Sequence, residues 1–406
     1  ASNPSLIYQL KDIKTIYALL DKTNPTATLD NPIDEQNIAS LTYELQGTFN
    51  DNLSGVQQVL VSLDNIDYNS ATLVNATNWD YNIVFPGDND YTIYVKATDN
   101  AANMSGATTR TVHVDVTKPV SAITSPNNNA DINSHALNLI GTYFDAGTGV
   151  QKVVLIINDS EEIQADKNTE NWYYTYNASA DGNYNIKSKA IDNSDNNEVI
   201  SSSIDVQLDT TKPETTDNYD NTWHTSDLAI ALTANDSLTG IANTYYRINS
   251  GAINPGTNID FNSDGNYLLE YLSIDNAGNI ENTNAKYVLL DKTEPDSTII
   301  KPAPDSNFNA NNMPIEILVS ATDILSQVKQ VFVSTDNGAT FNVTDFNGTD
   351  YNYIFSPTSD GIYSIKSKAQ DYADNNETTL SSISINVDIA GPQNLVLTIN
   401  DANIFT

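Results

Sequence analysis

Residues 264–295 hold the pattern on which the fold turns: Asp264-Gly265-Asn266-Tyr267, then Asp275-Asn276-Ala277-Gly278-Asn279, then Asp291-Lys292-Thr293-Glu294-Pro295. Each piece returns along the chain. The last recurs as Asp21-Lys22-Thr23-Asn24-Pro25, Asp115-Val116-Thr117-Lys118-Pro119, Asp209-Thr210-Thr211-Lys212-Pro213 and, more loosely, Asp388-Ile389-Ala390-Gly391-Pro392. The leading Asp residues are 94, 94, 82 and 97 residues apart. Such a period is a whole domain, because solenoid repeats are roughly 20–50 residues long. The middle piece recurs at Asp99-Asn100-Ala101-Ala102-Asn103, Asp192-Asn193-Ser194-Asp195-Asn196 and Asp371-Tyr372-Ala373-Asp374-Asn375, always with a Tyr eight residues earlier (Tyr91, Tyr184, Tyr267, Tyr363). A third motif follows each linker Asp by about 30 residues: Asp51-Asn52-Leu53-Ser54-Gly55, Asp145-Ala146-Gly147-Thr148-Gly149, Asp236-Ser237-Leu238-Thr239-Gly240 and Asp323-Ile324-Leu325-Ser326-Gln327. Four domains follow, at 21–114, 115–208, 209–290 and 291–387, with end segments 1–20 and 388–406.

Within a repeat the hydrophobic period is two. Val59, Val61 and Leu63 alternate with Leu60, Ser62 and Asp64, and Tyr91 to Ala97 and Tyr184 to Ala190 alternate likewise. Short alternating runs separated by Asn/Asp/Gly turns predict an all-β fold of antiparallel sandwiches in immunoglobulin strand order. The linker opens strand A, residues 43–49 form B and 56–63 form C. The Trp79 and Trp172 segments form E, the Tyr-led segments F, and G runs into the next linker. The Tyr opening F falls where a tyrosine corner would bond back across the E–F turn. Tandem sandwiches predict an extended rod.

The three motifs together resemble bacterial and archaeal immunoglobulin-like repeats of surface-layer proteins, adhesins and cell-wall-anchored proteins. The resemblance spans nearly the whole chain and is closest at Asp275-Asn276-Ala277-Gly278-Asn279. Gln327 and Ser194-Asp195 depart from it. It implies an extracellular, cell-surface structural role and, in some relatives, junctional Ca²⁺ that stiffens the linker.

Composition agrees. There are 52 Asp+Glu against 18 Lys+Arg, a net charge of −34, which opposes nucleic acid and anionic membranes as partners. The absence of Cys excludes disulfides and thiolate sites. No apolar run reaches the ~18 residues of a membrane helix, so no direct membrane insertion is expected in this region. Residues 6–20 resemble a G strand and 393–406 a first strand. Either the chain is a window from a longer array, the preferred reading, or its end strands complete sandwiches in neighbouring copies by strand exchange.

Sandwich topology gathers the loop and linker carboxylates at one pole of each domain: Asp21/Asp51/Asp99, Asp115/Asp145/Asp192, Asp209/Asp236/Asp275 and Asp291/Asp323/Asp371, with the amide oxygens of Asn103, Asn196, Asn279 and Asn375 nearby. Carboxylates converging without Lys or Arg call for a hard cation, and Ca²⁺ takes 6–8 oxygen ligands. The alternative is that each Asp bonds only its own loop backbone. An enzyme is not expected, because the acidic motifs repeat in every domain and His113, His135 and His224 form no site. Trp79 and Trp172 read as core, and Trp223 has no counterpart. Nine Asn-x-Ser/Thr sequons, at Asn52, Asn75, Asn103, Asn158, Asn177, Asn235, Asn342, Asn347 and Asn376, make a glycoprotein plausible. The reading is a structural protein whose partners are copies of itself, in a surface layer or filament, with an adhesin stalk as the alternative.

Overall fold

Alternation in sequence becomes alternation in burial. A computed structural model describes residues 20–391 apart from residue 202, so the expected end strands lie almost wholly outside the described residues. Repeat 1 folds as β1 (Thr26–Ala27), β2 (Gln36–Ile38), β3 (Thr42–Asn50), β4 (Val56–Ser62), β5 (Asn69–Ser70), β6 (Thr72–Leu73), β7 (Asn78–Val84), β8 (Asn89–Asp99) and β9 (Thr108–Val114). Along β3, Leu45, Gly47 and Phe49 point inward and their neighbours outward, and along β8 Ile93, Val95 and Ala97 do the same. Two sheets face each other, ordered β1-β3-β7-β6 and β2-β9-β8-β4-β5. β3, β4, β7, β8 and β9 are the expected B, C, E, F and G. The expected strand A is divided: β1 pairs antiparallel with β3, and β2 pairs parallel with β9. Each sheet thereby gains an edge strand.

The chain divides into two compact units, Ala1–Asp209 and Thr210–Thr406. The first holds repeats 1 and 2; the second holds repeat 3 from Thr210 and repeat 4. Repeats 2 and 4 again pair a four-stranded with a five-stranded sheet. Repeat 3, the shortest, pairs three strands with five, and its chain passes from Asn254–Pro255 to Asn258–Phe261 without a fourth strand.

The cores of repeats 1, 2 and 4 each have a large ring facing a cross-strand neighbour of its own sheet, and every repeat has a Tyr bonded across the E–F turn. The Trp79 ring lies over Gly47, where an added Cβ would come within 2.6 Å of the indole, and its Nε1 donates to Thr28 O at 3.0 Å. Trp172 covers Gly141 likewise, but its Nε1 is buried without a hydrogen-bond partner. In repeat 4 the smaller Tyr351 sits opposite Val319, so ring size and facing residue change together. The corner bonds form in all four repeats: Tyr91 OH to Gly87 O (3.0 Å), Tyr184 to Ala180 (2.9 Å), Tyr267 to Ser263 (2.7 Å) and Tyr363 to Ser359 (2.9 Å).

A carboxylate that the sequence did not flag joins the two sheets of repeats 2, 3 and 4. Glu198 accepts from Ser121 N and Ala190 N, Glu281 from Thr215 N and Ser273 N, and Glu377 from Ser297 N and Ala369 N. Each stands six residues after the F–G Asp, where repeat 1 has Ser105, whose hydroxyl accepts from Ala97 N. These acceptors satisfy amides that would otherwise be buried unpaired, at about 1–3 kcal/mol each.

Gly141→Ala would place a methyl 2.0 Å from Ala122 O and 2.3 Å from the Trp172 ring. It should destabilise repeat 2 by about 1–3 kcal/mol or more, measured by urea unfolding. Gly87→Ala, whose Cβ meets nothing within 4 Å, is the neutral control.

Candidate functional site

The linker Asp belongs to two domains at once. The Asp115 amide donates to Ile38 O (3.0 Å), closing the sheet behind it, and the Asp291 amide donates to His224 O (2.9 Å). Their carboxylates turn forward into the next repeat. Asp115 Oδ2 accepts from Thr148 N (2.7 Å) and Thr148 Oγ1 (2.8 Å), and Asp291 Oδ2 from Ser326 N (3.0 Å). Asp21 does the same with Ser54 N (3.0 Å). Asp209, the last residue of the first unit, is buried, and its amide donates to Ile132 O (2.9 Å).

The second Asp of each set lies in the loop after the B strand. Asp51 Oδ2 accepts from Leu53 N and Gly55 N, Asp145 Oδ2 from Gly147 N and Gly149 N, and Asp236 Oδ2 from Leu238 N and Gly240 N. Their other oxygens, Oδ1 of Asp51, Asp145 and Asp236, are buried without a hydrogen-bond partner. Asp323 serves the same turn through Oδ1, which accepts from Leu325 N and Gln327 N. The third Asp ends the F strand and is fully buried. Asp99, Asp192, Asp275 and Asp371 accept the amide of the Asn four residues on at 2.7–2.8 Å.

Within the units the sequence-predicted sets do assemble. In Asp21/Asp51/Asp99, Asp115/Asp145/Asp192 and Asp291/Asp323/Asp371, one carboxylate oxygen from each residue lies within 4.8 Å of the others. That span is about twice a Ca–O distance of ~2.3–2.6 Å. Clustered oxygen donors, with the orphaned buried oxygens of Asp51 and Asp145, suit a hard cation. The turn bonds of the alternative reading are present as well: Asp21, Asp99, Asp115, Asp192 and Asp371 accept hydrogen bonds on both carboxylate oxygens, whereas Asp51 and Asp145 keep Oδ1 free of them.

The four Asn residues turn their amide nitrogens toward the carboxylates. Asn103 Nδ2 donates to Asp99 Oδ2 (2.7 Å) and Asp21 O (3.3 Å); Asn196 Nδ2 to Asp192 Oδ2 and Asp115 O (both 2.8 Å); Asn375 Nδ2 to Asp371 Oδ2 and Asp291 O (both 2.8 Å). Asn279 Nδ2 donates to Asp275 Oδ2 (2.8 Å). Two acceptors on one side require the amide nitrogen there, so Asn103, Asn196 and Asn375 brace the carboxylates through Nδ2. A glycan on Asn103 would need the same nitrogen, so that sequon competes with the brace. The other eight sequon Asn residues are exposed.

Electrostatics differ between repeats. The Asp21 carboxyl is lowered to about 2 by the Thr23 hydroxyl and amide. Asp99 has burial against it, yet the Asn103 side chain and amide leave it below the usual value. Burial raises Asp192 and Asp371, with Asp115 repelling the first and Asp291 and Asp323 the second.

A further set of Asp residues, with Asp264 of the opening pattern among them, bonds the linkers, a role that the turn signal alone does not show. Asp88 accepts from Val116 N (2.8 Å), Asp264 from Lys292 N (2.9 Å) and Asp360 from Ile389 N (2.7 Å), so the E–F loop of one domain holds the linker to the next. The available signal was an Asp three residues before each corner Tyr, at 88, 181, 264 and 360. The histidines stand apart from the sets: His113 between Asp90 and Glu35, His135 on Asp181 and His224 on Asp220. Trp223 lies half-buried in the short strand that repeat 3 has in place of β2.

Two outcomes follow. Gln327 holds φ at 66° where the other repeats place Gly55, Gly149 and Gly240, so Gln327→Gly should stabilise repeat 4 by about 1 kcal/mol, read from its urea midpoint. In divalent-free buffer, the penalty of burying charged Asp192 and Asp371 is fully present at neutral pH. It is relieved as pH falls through their raised values toward 3.8. Below that, protonation of Asp21, held at about 2, removes stability. Melting temperature against pH should therefore pass through a maximum on the acid side of neutrality.

Among the described residues no helix is long and apolar enough to cross a membrane. None of the curated proteins matches the chain. Similar solved structures include the fibronectin(III)-like modules of Clostridium thermocellum CbhA (20% identity, 45% of this chain and 94% of that one, TM-score 0.32). The human desmocollin-1 ectodomain is similar at 13% identity over 91% of this chain and 80% of that one, with TM-score 0.29. Protocadherin gamma B2 extracellular cadherin domains 3–6 are similar at 10% identity over 88% and 99%, with TM-score 0.30. Residues 119–187 and 295–366, in repeats 2 and 4, match the model of the bacterial Ig domain. Repeats 2 and 4 are therefore bacterial Ig-like domains, within a tandem of four β-sandwiches that each pair two sheets.

Proposed function

We propose that the chain is a structural segment of an extracellular cell-surface protein, in which Ca²⁺ at the carboxylate sets locks one domain to the next. The orphaned, buried Oδ1 atoms of Asp51 and Asp145, each beside two further carboxylates, carry the reading. A buried carboxylate oxygen without a donor is costly, and three such groups together repel; a hard divalent ion answers both. The match to bacterial Ig domains, typical of surface proteins, supports the location. Assembly with copies of itself into a surface layer or filament, and strand exchange through the end segments, belong to the same proposal.

Added Ca²⁺ should raise the melting temperature over EGTA, each site contributing about 2.7 kcal/mol at a hundredfold excess over Kd. Asp145→Asn should melt no lower than the parent in EGTA, since it relieves repulsion, and should lose its share of the Ca²⁺ shift. An identical Ca²⁺ response in parent and variant would leave the carboxylates with turn chemistry alone. For assembly, negative-stain microscopy in Ca²⁺ should show lattices or filaments; isolated particles would assign a stalk.

A further inference from the structure

The strand Gly265–Asp275 of repeat 3 departs from the alternation kept elsewhere. Its inward residues Leu269, Tyr271 and Ser273 are buried, yet its outward ones include Leu268, Leu272 and Ile274. Counted from the corner Tyr, Leu268 stands where the other repeats have Thr92, Asn185 and Ser364. Leu272 stands where they have Lys96, Lys189 and Lys368. Across the ladder, Tyr245 faces Leu272 and Arg247 faces Glu270. With Ile253 and Ile280 as exposed walls (67% and 52%), Tyr245, Arg247, Glu270 and Leu272 line a groove of about 440 Å³ within a single repeat, and Leu268 lies outside it. The volume lies in the ~300–1,000 Å³ range of small-molecule sites.

The polar pair in this apolar groove decides the occupant. Arg247 Nε and Nη2 each donate to Glu270 at 2.8 Å. That uses two of five guanidinium N–H groups and one lone pair on each carboxylate oxygen, leaving adjacent donors and acceptors. An apolar peptide would desolvate them without replacing water's bonds. An anion would meet Glu270 and the chain's charge of −34, and a cation would meet Arg247. A neutral molecule with C–H faces and neighbouring hydroxyls satisfies both the walls and the pair. We propose that this groove binds a neutral saccharide of one or two pyranose rings, its ring face against Tyr245 and Leu272 and its hydroxyls on Arg247 and Glu270. No carboxylate of the cation sets lines the groove, so the inference is independent of the Ca²⁺ reading.

Saturation-transfer NMR and calorimetry on the whole chain, with maltose, cellobiose, lactose and N,N′-diacetylchitobiose, test it. At least one should bind with a Kd below about 1 mM. Leu272→Lys introduces the residue that three sister repeats carry at this position. It should keep the parent's circular dichroism and melting temperature while weakening binding at least about tenfold, and Arg247→Gln should weaken it similarly. No binding by any of the four, or unchanged binding by Leu272→Lys, overturns the proposal. Sugar-independent self-association that Leu272→Lys abolishes would overturn it too, by assigning the groove to a protein surface.

Discussion

The linker aspartate is shared between two folding units, and this sharing governs the rest of each junction. Asp115 and Asp291 close the sheet behind them with their amides and organise the loops ahead with their carboxylates. Each domain therefore needs an anion at a fixed point before its own loops can settle. The loops then supply two more carboxylates to the same pole, and a conflict arises that hydrogen bonds resolve only partly. In repeat 1 the bonds outweigh burial at Asp99, whereas in repeats 2 and 4 burial prevails at Asp192 and Asp371.

Around this shared residue the repeats keep some devices and vary others. Every repeat keeps the corner tyrosine, because it fastens the E–F turn whose Asp holds the following linker in repeats 1, 3 and 4. The core ring varies with what faces it, Trp over Gly or Tyr opposite Val, since packing density constrains the sum of the volumes rather than either one. Repeat 4 has two departures at one contact. Where Asn100 and Asn193 clamp the carbonyls of Gly55 and Gly149, it has the exposed Tyr372 beside the strained Gln327.

Much of this was legible in the sequence because it rests on period and spacing. Two-residue alternation announced the sheets, and the three acidic motifs could share a pole only if the loops did. The orientation of the Asn103, Asn196 and Asn375 amides was not legible, since composition cannot tell which end of an amide faces a carboxylate. Glu198, Glu281 and Glu377 were hidden because a charged residue in a loop reads as solvated until the facing sheet supplies its donors. The divided first strand escaped for a similar reason. Two or three residues carry too little period to register, and the parallel pairing of β2 depends on the far end of the domain.

That parallel pairing sets how a domain bears tension. β2 lies near the start of repeat 1 and β9 at its end, and the two run side by side in the same direction. The same arrangement joins Ala130–Ile132 to Ile204–Leu208, Trp223–His224 to Asn284–Leu290 and Asn307–Asn309 to Ser381–Asp388. A pull on the two ends of such a domain slides these strands past each other lengthwise. All the rungs between them are then loaded together, rather than opening one at a time as in an unzipped hairpin. Tandem domains joined in this way resist stretching as a set of shear clamps in series, each no longer than three residue pairs.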